Sequence, residues 1–300
     1  MAKSPAHTLG ERIGHVFEHA VGVLLQEFAD DHELYLDHAG DRPARGSKTV
    51  KWQDMYGNQH DLDFVLEDGG TNESIGEPIA FVESAWRRLT KHSRNKAQEI
   101  QGALSPIGDT YRDKCEFLGA FLAGDFTDEA IAQLRSHGFQ IAHFPYATVV
   151  EAFARQDLDI SYEENTPTRE LQAKVRAWTG LSERRTNEVR DLVARDLVSM
   201  NQNETDAFLA SLTEAATREV ALVRILPLHG SPVQLDSLRD AIAYVNHHEQ
   251  SALPDACFAK YEILIRFTNQ DEIRGDFQDK ARAIRFLESL LDPALSGGEW

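Results

Sequence analysis

Five short runs of strand length, interleaved with stretches of helical spacing, constrain this chain more than any other feature. Residues 9–28 carry one apolar stripe (Ile13, Val16, Phe17, Ala20, Val21, Leu24, Leu25) at the three-and-four spacing of an amphipathic helix. Residues 30–47 are polar, contain Gly40, Pro43 and Gly46, and read as a loop. Extended runs over 49–53 and 59–66, separated by Tyr56-Gly57-Asn58, predict a hairpin. A third strand over 79–85 follows an acidic turn. A helix over 89–104 is expected to stop at Pro106 and Gly108. A strand over 116–123, a helix over 127–137 capped by Thr127 or Asp125 and stopped by Gly138, and a strand over 139–144 complete the pattern. That order predicts an α/β fold: a mixed sheet flanked by helices.

The texture then changes. Residues 161–168 read as a linker, 168–219 as helical, and 220–291 as strands and helices, with a turn at Asn269–Asp271. The expected division is a first domain over 1–160 and a C-terminal helical plus α+β domain over 161–300, serving recognition or dimerisation. Apolar residues at 42% and charged residues at 27% are ordinary for a globular chain. No apolar run reaches membrane-spanning length, and no signal-peptide core opens the chain. The two cysteines, Cys115 and Cys257, build neither a disulfide framework nor a zinc site. The expectation is a cytoplasmic protein with no membrane partner.

Charge is where function enters. The 31 basic against 49 acidic residues give a net −18, which excludes a nonspecific nucleic-acid coat. The cations are local, however. Arg42, Arg45, Lys48 and Lys51 form one cluster, and Arg87, Arg88, Lys91, Arg94 and Lys96 form another without an intervening acid. The carboxylates lie between them. In His60-Asp61-Leu62-Asp63-Phe64, Asp61 and Asp63 share a strand face, and Glu83 ends the apolar run of 79–85. Burying such an acid is costly unless it is paired or bound to a cation. If the two strands are neighbours, Asp63 and Glu83 converge on a small hard divalent ion, for which Mg²⁺ (or Mn²⁺) is suited.

Glu18 on the first helix, Asp63 in DLDFVL and Glu83 in FVESA, with this element order, resemble the PD-(D/E)xK nuclease superfamily of restriction-endonuclease-like fold. The resemblance covers about residues 9–150. It implies that Asp63 and Glu83 are the metal ligands and that Glu18 is the first-helix acid. There is one departure. The motif lysine, two residues after the glutamate, is Ala85 here. Lys96, roughly 40° around its helix from the core-facing Ile100, is the candidate replacement, whereas Lys91 lies about opposite. The alternative is that no lysine acts.

Blander readings stand beside these. Asp61 reads as a solvated strand-end acid, Glu18 as the polar face of its helix, and Asp63 and Glu83 as ion partners of Arg87 or Arg88. Arg266 and Arg274 are minor candidates for reading DNA. The reading is a Mg²⁺-dependent endodeoxyribonuclease of restriction type, acting on double-stranded DNA as a homodimer. Its catalytic set is Asp63, Glu83, Lys96 and Glu18, with Arg87, Arg88, Lys91 and Arg94 on the DNA backbone. The rivals are a catalytically inactive nuclease-fold protein that binds DNA or protein, and an unrelated interaction protein.

Overall fold

A computed structural model describes residues 4–111, 115, 117–217, 220–227, 231–248, 258–268 and 272–291. The chain divides into two compact units, 1–216 and 217–300.

The first unit is a three-layer α/β structure. Its sheet has the order β1-β4-β5-β6-β7, formed by β1 (Tyr35–His38), β4 (Phe64–Asp68), β5 (Glu77–Arg87), β6 (Phe117–Gly124) and β7 (Phe139–Pro145). The β1/β4 and β4/β5 pairs are antiparallel, and β5/β6 and β6/β7 are parallel. A separate two-stranded ribbon, β2 (Val50–Gln53) with β3 (Gln59–Leu62), is the expected hairpin. On one face of the sheet lie α1 (Pro5–Asp31), α4 (Tyr146–Ala154), α5 (Thr168–Thr179), α6 (Glu183–Met200) and α7 (Gln202–Ala216). Their apolar stripes share a core with Phe64, Leu66, Val82 and Phe121. On the other face α2 (Ser93–Thr110), α3 (Asp128–Ser136) and the ribbon pack over Val65, Phe81, Ala85 and Leu122.

Four expectations are corrected. First, the boundary at 160/161 moves to 216/217. Residues 161–168 do not separate domains, because α5 and α6 pack directly on α1 and bury Leu171, Trp178, Val189 and Val193 in its core. Second, the polar loop of 30–47 contains β1, whose buried Asp37 is held by Arg42 at 2.9 Å and Arg45 at 3.0 Å. An inward-facing acid breaks the apolar alternation by which a strand is recognised. Third, Pro106 does not end α2. Burial of Leu104 and Ile107 carries the helix past it, and Thr110 donates its hydroxyl to the Pro106 carbonyl at 2.7 Å. Fourth, 59–66 is two strands, β3 and β4, which join different sheets and are broken at Asp63. Leu62 packs on the α2 side while Phe64 packs on the α1 side, the reverse of what an unbroken strand would do. In addition, α4 follows β7 directly, with Pro145 at its N-cap and no side-chain cap hydrogen bond.

The second unit holds an antiparallel sheet ordered β11-β10-β8-β9. It comprises β8 (Val220–Pro227), β9 (Val233–Leu235), β10 (Tyr261–Phe267) and β11 (Glu272–Phe277), packed with α8 (Leu238–His247) and α9 (Lys280–Ser289). The strand over 261–267 and the closing helix are where the sequence places them; β9 is an addition. The turn at Asn269–Asp271, Glu116 and Cys257 lie outside the described residues.

Candidate active site

The break at Asp63 and the antiparallel β4/β5 pair together bring the expected acids into one place. Phe64 is registered opposite Val82, so Asp63 comes level with Glu83 across the strands. The two residues interlock. The Asp63 backbone N–H donates to Glu83 Oε1 at 3.3 Å, while Asp63 Oδ2 accepts from the Ser84 N–H at 2.9 Å and from the Ser84 hydroxyl at 3.0 Å. Glu83 is 7% exposed. Sequence reasoning misses Ser84, because its role depends on a cross-strand register that the spacing does not reveal.

Two further expected groups face the same open cleft, of about 730 Å³: Glu18 from α1 and Lys96 from α2. Burial, reinforced by the Asp63 charge, raises the carboxyl of Glu83 to about 8, with Lys96 and the Asp63 N–H pulling it down and Glu18 pushing it up. Burial and then Asp63 also raise Glu18, against His15 and His38. Like charges held together in a partly dry cleft cannot all ionise easily without a cation. Lys96 lies 3.6 Å from Glu99. Ala85, at the motif-lysine position, is buried against the α2-side core and offers no charge.

The blander readings of Asp63, Glu83 and Glu18 do not match these contacts. Neither Asp63 nor Glu83 pairs with Arg87 or Arg88, and Glu18 is half-buried in the cleft rather than on a solvated helix face. For Asp61 the bland reading fits: it is exposed and sits 3.4 Å from Lys51.

The cations expected to grip DNA are mostly engaged within the protein. Arg88 is buried and pairs with Asp125 at 2.5 Å and Glu163 at 2.8 Å, donates to the Tyr162 carbonyl and stacks on the Tyr146 ring. It is a structural tie between β5 and the chain after α4, because a guanidinium desolvated to this degree needs carboxylates on hand. Lys91 is exposed but paired with Glu164. Arg87 lies 3.7 Å from Glu99 and donates to the Trp86 carbonyl at 2.8 Å. Arg94 is exposed, with no ion pair among the described residues. In the second unit Arg266 and Arg274 both converge on Glu272.

Asp63 and Glu83, level with each other across β4 and β5, are the residues that could hold a divalent ion. Among the described residues no group of three or more His, Cys, Asp and Glu side chains stands together as a metal cage. Two carboxylates alone still match Mg²⁺, which takes one or two protein oxygens and fills its shell with water and phosphate. No described helix is long and apolar enough to cross a membrane. Neither a family model nor a curated protein matches the chain. Among solved structures, one titled "Crystal Structure of Protein of Unknown Function AF1548" is similar at 13% identity and a TM-score of 0.31, covering 67% of this chain and 94% of that one.

Proposed function

We propose that the protein is a metal-dependent DNA endonuclease of the PD-(D/E)xK kind, restriction-type in its chemistry, with Asp63 and Glu83 as ligands of Mg²⁺ or Mn²⁺. The observation that carries this reading is the cross-strand interlock of Asp63 with Glu83-Ser84, with Glu18 and Lys96 facing the same cleft. The residues fit the ion: both are oxygen-only donors, and their backbone and hydroxyl partners fix them in place before any ligand arrives. When bound, such an ion supplies Lewis acidity toward the scissile phosphate.

The chain's own groups do the rest. Ser84 holds the Asp63 carboxylate in one orientation through two hydrogen bonds. Lys96 brings the positive charge that Ala85 cannot, and it meets negative charge developing on the phosphoryl oxygens. Glu18, its carboxyl raised by burial and by Asp63, stands at the α1 wall of the cleft as a candidate proton donor or acceptor. A homodimer would present one such cleft to each strand of a duplex.

The test is plasmid nicking with Mg²⁺ and with EDTA, comparing wild type with Asp63→Ala, Glu83→Gln and Lys96→Ala. Cleavage that needs the metal and is lost in all three supports the reading, provided each variant stays folded by circular dichroism. DNA retention without cutting by the wild type identifies the inactive, DNA-binding alternative, which Ala85 favours. A wild type that neither retains nor cuts DNA overturns both.

A further inference from the structure

The two most exposed large hydrophobic side chains among the described residues are neighbours. Tyr56 is 78% exposed and Met55 is 57% exposed, and both sit at the tip of the β2/β3 ribbon. An isolated surface hydrophobe needs no explanation. A pair held out on a rigid tip is different, and this tip is rigid. Asp54, itself buried, accepts from the Tyr56 N–H and the Asn58 N–H, each at 2.9 Å, from the Asn58 side-chain amide at 3.0 Å, and pairs with His60 Nε2 at 3.0 Å. The His60 bond first, and the Asn58 and Tyr56 bonds after it, keep the Asp54 carboxyl well below the ordinary range. Gly57 takes the left-handed conformation the turn requires, at φ 86°. From the other side Thr110 accepts the Met55 N–H on its hydroxyl at 2.8 Å, and the Tyr111 hydroxyl donates to the Gln53 carbonyl at 3.3 Å. The ordering entropy of the tip is thus spent on folding rather than on binding, so a partner meets a preformed pair of apolar side chains.

We propose that Met55 and Tyr56 form a wedge that enters a groove of duplex DNA and stacks on or between its bases beside the cut; this rests on the nuclease reading above. Position favours DNA. The chain runs from the tip along β3 straight to Asp63, so the wedge and the proposed metal ligand flank the two ends of β3. The stretch from Tyr56 to Asp63 spans at most about 24 Å at the rise of a β-strand, which places the wedge within roughly seven base steps of the scissile phosphate. A two-stranded ribbon fits a major groove, and methionine is among the side chains used to pry base steps apart. An aromatic face stacks on any base.

The experiment uses the full chain in Ca²⁺, with a labelled duplex carrying 2-aminopurine at successive positions around the cut, and compares wild type with Met55→Ala, Tyr56→Ala and the double variant. Both side chains are exposed, so truncation leaves the fold intact, and Mn²⁺ titration of the same variants reports the Asp63–Glu83 site independently. The expected result is a rise in 2-aminopurine fluorescence at one or two positions with wild type, its loss in the double variant, an affinity drop of about tenfold or more, and unchanged Mn²⁺ binding. A double variant that binds DNA as tightly as wild type, or a wild type that leaves every 2-aminopurine quenched, overturns the wedge while leaving the nuclease reading standing. So does loss of self-association with DNA binding intact, which would make the tip a contact between copies. A wild type that binds no duplex at all removes both.

Discussion

Replacing Glu83 by glutamine tests the electrostatics of the cleft without touching its shape. Glu83 has its carboxyl raised from an ordinary 4.5 to about 8, so between those values the native protein keeps a proton that the unfolded chain has released. Stability rises with pH only where the unfolded state binds more protons, and here the native state binds more. The contribution of Glu83 is therefore full below pH 4.5 and is lost as pH climbs toward 8. Each pH unit in that window costs about 1.4 kcal/mol, and the whole passage from 4.5 to 8 amounts to about 5 kcal/mol. The Glu83→Gln side chain keeps the size and the hydrogen-bond acceptor and cannot ionise. The assay is urea unfolding of both proteins in EDTA at intervals from about pH 4 to about pH 9, with the variant-minus-wild-type difference plotted against pH. The difference should climb across the window and level off above it. Adding Mg²⁺ at the alkaline end should recover stability in wild type, by mass action on the folded state, and recover little in the variant. A difference that stays flat to within about 1 kcal/mol means that Glu83 ionises as an ordinary solvated acid, and the picture of crowded carboxylates fails with it.

Arg42→Ala removes the cation that lies 2.9 Å from Asp37 and 2.7 Å from Glu67, both fully buried, and should cost about 3–5 kcal/mol in chemical denaturation; a loss under about 1 kcal/mol would show that those acids find another partner. Gly124 and Gly138 have similar positive φ, 96° and 84°, yet a Cβ on Gly124 would lie 2.0 Å from the Arg87 carbonyl oxygen, while one on Gly138 meets nothing. Gly124→Ala should therefore cost several times the roughly 1–2 kcal/mol expected of Gly138→Ala; equal drops in melting temperature would sink the crowding argument. Glu164→Gln frees Lys91 and should steepen the salt dependence of DNA binding by about one power of salt concentration; an unchanged slope places Lys91 away from the phosphates.

What the sequence reveals of the site, and what it hides of the fold, have one physical origin. Glu83 is legible because a charge at the end of an apolar run must be explained, and Asp63 because it lies on the neighbouring acidic strand; Glu18 comes only from the family resemblance, and Lys96 only from helix geometry once Ala85 leaves the motif position without a charge. The meeting of Asp63 and Glu83 depends on strand neighbourhood, which the β4/β5 pairing supplies. Asp37 and Arg42 are equally buried charges, but only the short run Leu34-Tyr35-Leu36 signals burial in a segment otherwise polar and rich in turn residues, so β1 is hidden. Arg88 misleads for the opposite reason. Its neighbours in sequence are cations, and its neighbours in space are Asp125 and Glu163, brought from α3's leading loop and from the chain after α4. Local charge density reads the first set and cannot read the second. The same distinction explains the domain boundary. A polar, proline-containing stretch at 161–168 marks where the chain is exposed, whereas a boundary is where few contacts cross, and α5 and α6 cross back onto α1. Lone charges in apolar surroundings are thus read reliably from the chain itself; ion partners and domain membership are properties of the packing. If the proposed nuclease reading holds, its DNA-facing cations are to be sought among those that the packing leaves exposed, Arg94 first, rather than among the most clustered.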